Sequence, residues 1–282
     1  MDVRPALFLI IFFCTTLSGC MGLFFQPMKP LVRTPDNINL NYQDIHFTSL
    51  DGTSLHGWFL PAEGKARGTV LLLHGNAENI STHIGSVHWL PSRDFNVFLF
   101  DYRGYGQSAG NVDLQGTFLD IEAALQWLQN KPDIDSTRIA VLGQSLGGAM
   151  GAYVFANTGQ SKIIRALILD SVFSDYQQIV REKLAAFWLT WPLQYPLSWL
   201  VSDEFSPVET INQYSPTPVL IIQSKYDSIV PEHHAQQLFE RARLPKNLWF
   251  IPKDGHISAL KHTEVQDRLV NFLVKILDKK NE

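Results

Sequence analysis

A chain of 282 residues with 45% hydrophobic and 18% charged side chains can bury a large core, which excludes an intrinsically disordered protein. The net charge of -4, without a basic run or an interleaved basic-aromatic patch, excludes nucleic acid as an expected partner. The two cysteines, Cys14 and Cys20, both precede the body of the chain, so no disulfide, thiolate nucleophile or thiolate metal ligand is expected there.

The first element is an apolar run, Pro5 to Phe13, of signal-peptide length, followed by Leu17-Ser18-Gly19-Cys20. That tetrad resembles the bacterial lipobox, in which the cysteine is lipidated and becomes the new N-terminus. The resemblance implies a signal peptide over 1–19, lipidation of Cys20 and an extracytoplasmic, membrane-anchored protein on the periplasmic side. The rival is an uncleaved anchor, because the apolar stretch continues weakly to Phe25. Arg4 against Asp2 is a weak n-region for a signal peptide. Lys29 and Arg33, on the far side of the run, oppose an anchor that keeps its N-terminus inside. Pro27, Pro30 and Pro35 make 20–37 an extended tether.

From residue 38 onward strands and helices alternate, as in a mostly parallel sheet covered on both faces, so the fold class is α/β. Asp44–Ser49 and Ser54–Leu60 form an opening hairpin across Asp51-Gly52. Buried strands follow at Thr69–Leu73, Asn96–Phe100, Ile139–Leu142, Ala166–Leu169, Val219–Ile222 and Leu248–Ile251. Leu114, Phe118, Ile121, Leu125 and Leu128 make one helical stripe, and Val265, Leu269, Phe272, Leu273 and Ile276 line the last helix.

The alternation lapses between Ser171 and Pro218. Leu184 to Val201 has eighteen residues and no charge, the lower limit for a membrane helix. Pro192 and Pro196 would break such a helix, and a span between two strands of one sheet is topologically awkward. A helical lid over about 171–214 fits better. It offers Phe187, Trp188, Trp191, Tyr195 and Trp199 either to an acyl chain or bilayer surface, or simply to its own core.

Gly143-Gln144-Ser145-Leu146-Gly147 follows the Ile139–Leu142 strand and leads into a helix faced with Gly147, Gly148, Gly151 and Ala152. This is the strand-turn-helix context of a Gly-x-Ser-x-Gly nucleophile elbow. The five-residue pattern alone would arise by chance about 0.1 times in a chain this long. Its flanking strand and small-residue helix raise it well above that.

From residue 38 onward the chain resembles the α/β-hydrolase superfamily. Leu71 to Ala77 (LLLHGNA) and Asp101 to Gly110 (DYRGYGQSAG) are similar to the signatures of its BEM46-type, ABHD13-like hydrolases, often filed with serine aminopeptidase S33-like proteins. The resemblance implies an α/β-hydrolase domain over 38–282 and a triad in the order Ser145, Asp227, His256. Each of the three follows the C-terminal end of an expected parallel strand, where open α/β sheets bind ligands. Asp170 also ends a strand and competes for the acid. His233 and His234 open a helix and read as surface residues, and His262 reads as one or two turns into the last helix. Asp101 and Arg103 are expected to be scaffold.

Acyl transfer needs two donors for the developing oxyanion. The N–H of Leu146, at a helix N-terminus, is one; the N–H of Asn76, after His74-Gly75, is the other. His74 reads as structural. A metal site made of His74, His83 and His88 would lack a carboxylate and helical ligand spacing, so neither metal nor cofactor is implied. The expected activity is a serine carboxylester hydrolase acting on a small-molecule or lipid acyl ester. A peptidase or amidase with the same triad, and a non-catalytic lipoprotein that binds lipid or a partner through its lid, are the alternatives.

Overall fold

The computed structural model describes residues 24–252 and 255–278. The proposed signal peptide and Cys20 lie outside them. Eight strands form one sheet in the order β10-β9-β8-β7-β4-β6-β3-β2. They are β2 (Gln43–Thr48), β3 (Ser54–Leu60), β4 (Gly68–Leu73), β6 (Phe95–Asp101), β7 (Ile139–Gln144), β8 (Ala166–Asp170), β9 (Val219–Ser224) and β10 (Lys246–Ile251). The run from β10 to β6 is parallel throughout. The β2–β3 hairpin is antiparallel and joins the sheet through β6.

The central strands are buried on both faces, which is why they read as unbroken apolar runs. Leu71 and Leu73 of β4 and Phe98 and Phe100 of β6 face one core layer. Val70, Leu72, Val97 and Leu99 face the other. On the first layer lie α2 (Leu114–Asn130) and α3 (Leu146–Asn157); on the second lie the short α1 (Ile80–His83) and the last helix, α8 (Thr263–Leu277). Asp113 caps α2 by accepting the Gly116 N–H at 2.8 Å.

From Phe24 onward the segment expected as an extended tether is seated on the domain, and it ends in a 3-10 turn at Pro35–Ile38. Gln26–Pro27 (β1) pairs in parallel with Ala77–Glu78 (β5). The Asn79 side chain donates to the Met28 and Pro30 carbonyls at 2.9 and 2.8 Å, and the Val32 N–H donates to Ser81 Oγ at 2.8 Å.

Between β8 and β9 the uncharged stretch does not form one helix. It is divided among the end of α4 (Tyr176–Ala185), a single 3-10 turn at Trp191–Leu193 and α5 (Gln194–Ser198). Among the described residues no helix is long and apolar enough to cross a membrane. The segment returns through α6 (Pro207–Thr210) to Tyr214, whose buried hydroxyl donates to the Ala152 carbonyl at 2.9 Å.

Candidate active site

The β7–α3 connection holds Ser145 at φ 49° and ψ −121°, a left-handed backbone that an L-residue keeps only when its surroundings enforce it. Two close approaches enforce it. A Cβ on Gly147 would run into the His74 and Leu73 carbonyls, and one on Gly143 would meet the Gly148 backbone. The Ser145 N–H donates to the Asp170 carbonyl at 3.0 Å, pinning the turn to the next strand. Ser145 is 8% exposed.

Asp227 follows β9. Its Oδ1 accepts the N–H groups of Ile229 and Val230, each at 2.8 Å, and its Oδ2 lies 2.8 Å from His256 Nδ1. Burial alone would raise this carboxyl. The His256 bond and charge, with the two amides, outweigh burial and hold the carboxyl below the usual aspartate value. The carboxylate thus accepts a hydrogen bond from the Nδ1–H of His256, which leaves Nε2 as the nitrogen with a free lone pair.

Asp170, the rival acid, is turned the other way. Its Oδ2 accepts from Gln144 Nε2 at 2.9 Å and its Oδ1 from the Ser171 hydroxyl at 3.3 Å. Burial raises its pKa to about 6, against the pull of the Gln144 bond. Ser171 also accepts the Ile257 N–H at 3.1 Å, which ties the loop carrying His256 to the strand beside the elbow.

The loop after β4 lies against the serine: a Cβ on Gly75 would sit 3.7 Å from Ser145 Cβ. His74 is fully buried, and burial, with His83 nearby, pushes its pKa well below the ordinary histidine value. It is therefore neutral and carries one ring proton. That proton is on Nδ1, which donates to the Gly75 carbonyl at 2.8 Å. The Gly75 carbonyl and the Asn76 N–H belong to one planar trans peptide and point in opposite directions, so the bond fixes the amide as well. The Asn76 carbonyl is held by the Gln26 N–H at 2.9 Å and the Tyr105 hydroxyl at 2.6 Å. Leu146 is the first residue of α3, so its N–H has no intrahelical acceptor.

The remaining histidines separate. The His74 and His83 ring centroids are 5.4 Å apart, but His88 Nδ1 bonds the Gly85 carbonyl. His262 is the extended cap residue before α8, not one or two turns into that helix as its sequence position suggested. His233 is half-exposed at the start of α7 (Glu232–Arg241), whereas His234 is buried, contrary to its reading as a surface residue. His234 Nδ1 accepts the Ser174 N–H at 3.2 Å, which puts its proton on Nε2, 3.1 Å from Glu182 Oε2. Glu182, His233 and His234 have ligand-like spacing, but this tautomer makes them a hydrogen-bonded clamp between α4 and α7. Arg103 is buried as scaffold, with Nη2 2.8 Å from Asp120 and Nη1 2.8 Å from Asp51.

The residues that sequence reading missed here are Gln144, Ser171, Gln26 and Tyr105. Gln144 occupies a variable position of the elbow pattern, Tyr105 lies in the Asp101–Gly110 signature with no role expected of it there, and Ser171 and Gln26 belong to no motif.

Residues 81–280 match the prolyl oligopeptidase family. The uncharacterized protein YfhR of Escherichia coli K12 is 34% identical over 98% of this chain and 97% of its own. The α/β-hydrolase domain-containing protein WAV2 of Arabidopsis thaliana is 34% identical over 74% of this chain and 69% of its own, and bem46 of Schizosaccharomyces pombe is 29% identical over 77% and 71%. Among solved structures, an esterase of Pyrococcus furiosus superposes with a TM-score of 0.70 at 25% identity, covering 89% of this chain and 99% of that one. The chain is thus a hydrolase of α/β-hydrolase fold, and it belongs to the prolyl oligopeptidase family.

Proposed function

We propose that this chain is a membrane-tethered serine hydrolase that cleaves acyl esters through an acyl-enzyme on Ser145. The observation that carries the reading is the 2.8 Å bond from His256 Nδ1 to a buried carboxylate, in a fold whose elbow strains one serine. His256 Nε2 takes the Ser145 proton as Oγ attacks the ester carbonyl, and Asp227 stabilises the resulting imidazolium. The N–H groups of Leu146 and Asn76 receive the oxyanion. Collapse of the tetrahedral adduct expels the alcohol, protonated by His256. Water, deprotonated by the same nitrogen, then releases the acid and restores the serine.

The esterase likeness supports ester chemistry, and the Leu17-Ser18-Gly19-Cys20 tetrad supports lipidation of Cys20 and an extracytoplasmic, periplasm-facing location. The test is a fluorophosphonate probe together with p-nitrophenyl acyl esters. Labelling and turnover in the parent, both lost in Ser145→Ala, are the expected result; equal labelling of the variant would overturn the reading.

A second reading, amide or peptide cleavage by the same residues, is favoured by the name of the matching family. Turnover of aminoacyl-nitroanilides measured beside the esters separates the two.

A further inference from the structure

Fifteen large apolar side chains are exposed among the described residues, and eight of them fall between Phe187 and Trp199. Trp188, Trp199 and Trp191 are 77%, 69% and 59% exposed, far above what a lid that buries its own aromatics would leave. The patch extends past the lid. Lys183 Nζ donates to the Ser228 carbonyl at 3.0 Å, joining the lid to the loop of Asp227, where Tyr226 and Ile229 are also exposed. A contiguous apolar surface of this kind marks an interaction site, and this one adjoins the candidate active site.

The way the chain enters the domain says what covers it. The Phe24 ring packs edge-on against Tyr176 at 5.2 Å and lies tilted to Phe173 at 6.4 Å, at the root of α4. Cys20 lies four residues earlier, within about 14 Å of Phe24 even when fully extended. Ten-residue α4 spans about 15 Å from Tyr176 to the start of the aromatic face. A lipid on Cys20, or an apolar anchor running on to Phe25, would therefore put the bilayer within reach of the helix that leads into the tryptophans. The face itself suits that surface. It has no charge from Leu184 to Val201, and it is rich in Trp and Tyr, the side chains favoured where hydrocarbon meets headgroups.

We propose that the Phe187–Trp199 face docks on the surface of the phospholipid bilayer that holds the N-terminus, so that Ser145 draws its ester from that bilayer. The proposal rests on the tethered-hydrolase reading above and deepens it.

The full-length chain is reconstituted in phosphatidylcholine vesicles with brominated acyl chains, which quench tryptophans that reach the hydrocarbon. The parent emission should fall by about half, because three of seven tryptophans lie in the face. In the triple variant Trp188→Phe/Trp191→Phe/Trp199→Phe, which keeps the face apolar but removes its reporters, the quenching should disappear. Equal quenching in parent and variant, or none in the parent, overturns the proposal. So does a concentration-dependent dimer whose emission ignores brominated lipid, which would give the face to a second copy. Ser145→Ala should quench like the parent. Turnover of p-nitrophenyl acetate without vesicles then judges the hydrolase reading separately.

Discussion

His74 donates its single ring proton to the carbonyl of Gly75 at 2.8 Å and thereby sets the direction of the next amide, the Asn76 N–H. In His74→Ala that peptide is held only through the bonds to the Asn76 carbonyl. Loss of one complete oxyanion donor costs about 100-fold to 1000-fold in kcat, so a loosened donor should cost about 10-fold to 100-fold. KM should change little, because the donor acts on the transition state. His74→Asn, with an amide able to reach the same carbonyl, should recover part of the loss. Steady-state kinetics on one ester tests this, and a fall confined to KM would refute it.

Asp227 selects the ring proton of His256. Asp227→Asn keeps the shape but offers an N–H where the carboxylate accepted one, which favours the unproductive tautomer. The expected loss in kcat is about 1000-fold to 10000-fold, with thermal stability within a few degrees of the parent. A loss below about tenfold would give the acid role to another carboxylate.

Ser171 bridges Asp170 and the Ile257 N–H. Ser171→Ala leaves that N–H without its acceptor, at a cost of about 1 kcal/mol or more, and frees the loop that carries His256. The kcat should fall about fivefold to tenfold, with fluorophosphonate labelling slowed in parallel. Unaltered labelling would mean that the loop is held by other contacts.

Asp170 carries a pH signature. Its folded pKa of about 6 lies above the ordinary aspartate value of 3.8, so the folded state binds the proton more tightly. The stabilisation is complete below the unfolded value and is lost as pH rises through the folded one. Relative to Asp170→Asn, which has no such proton, the parent should lose about 2 kcal/mol between pH 4 and pH 7. Urea unfolding of both proteins at several pH values measures the difference. A constant difference would mean that the carboxyl is not desolvated.

The parallel sheet was legible because strands buried on both faces must be apolar at every position, as in Leu71-Leu72-Leu73 and Val219 to Ile222. The candidate site was legible because Ser145 and Asp227 follow such strands; His256 follows β10, expected as a buried strand but found at the sheet edge with only Ile251 buried. The ladder between Gln26–Pro27 and Ala77–Glu78 left no mark, since two residues carry no periodicity. Phe24 and Phe25 read as the tail of the apolar N-terminal run, yet both rings pack on the domain, Phe25 against Tyr105 at 6.4 Å. His234 beside exposed His233 read as surface; its burial depends on Ser174 and Glu182, sixty and fifty-two residues away in the chain.

Under the proposed function, the β1–β5 ladder would make membrane attachment and catalysis mechanically continuous. The Gln26 N–H that grips the Asn76 carbonyl belongs to the stretch that would bear any pull between membrane and domain. Tension on that stretch, or a protease cut just after Phe25, would reach the proposed oxyanion loop, through the Gln26–Asn76 bond, before the sheet. Release from the membrane by cleavage within this segment would therefore yield a folded protein with a slackened active site.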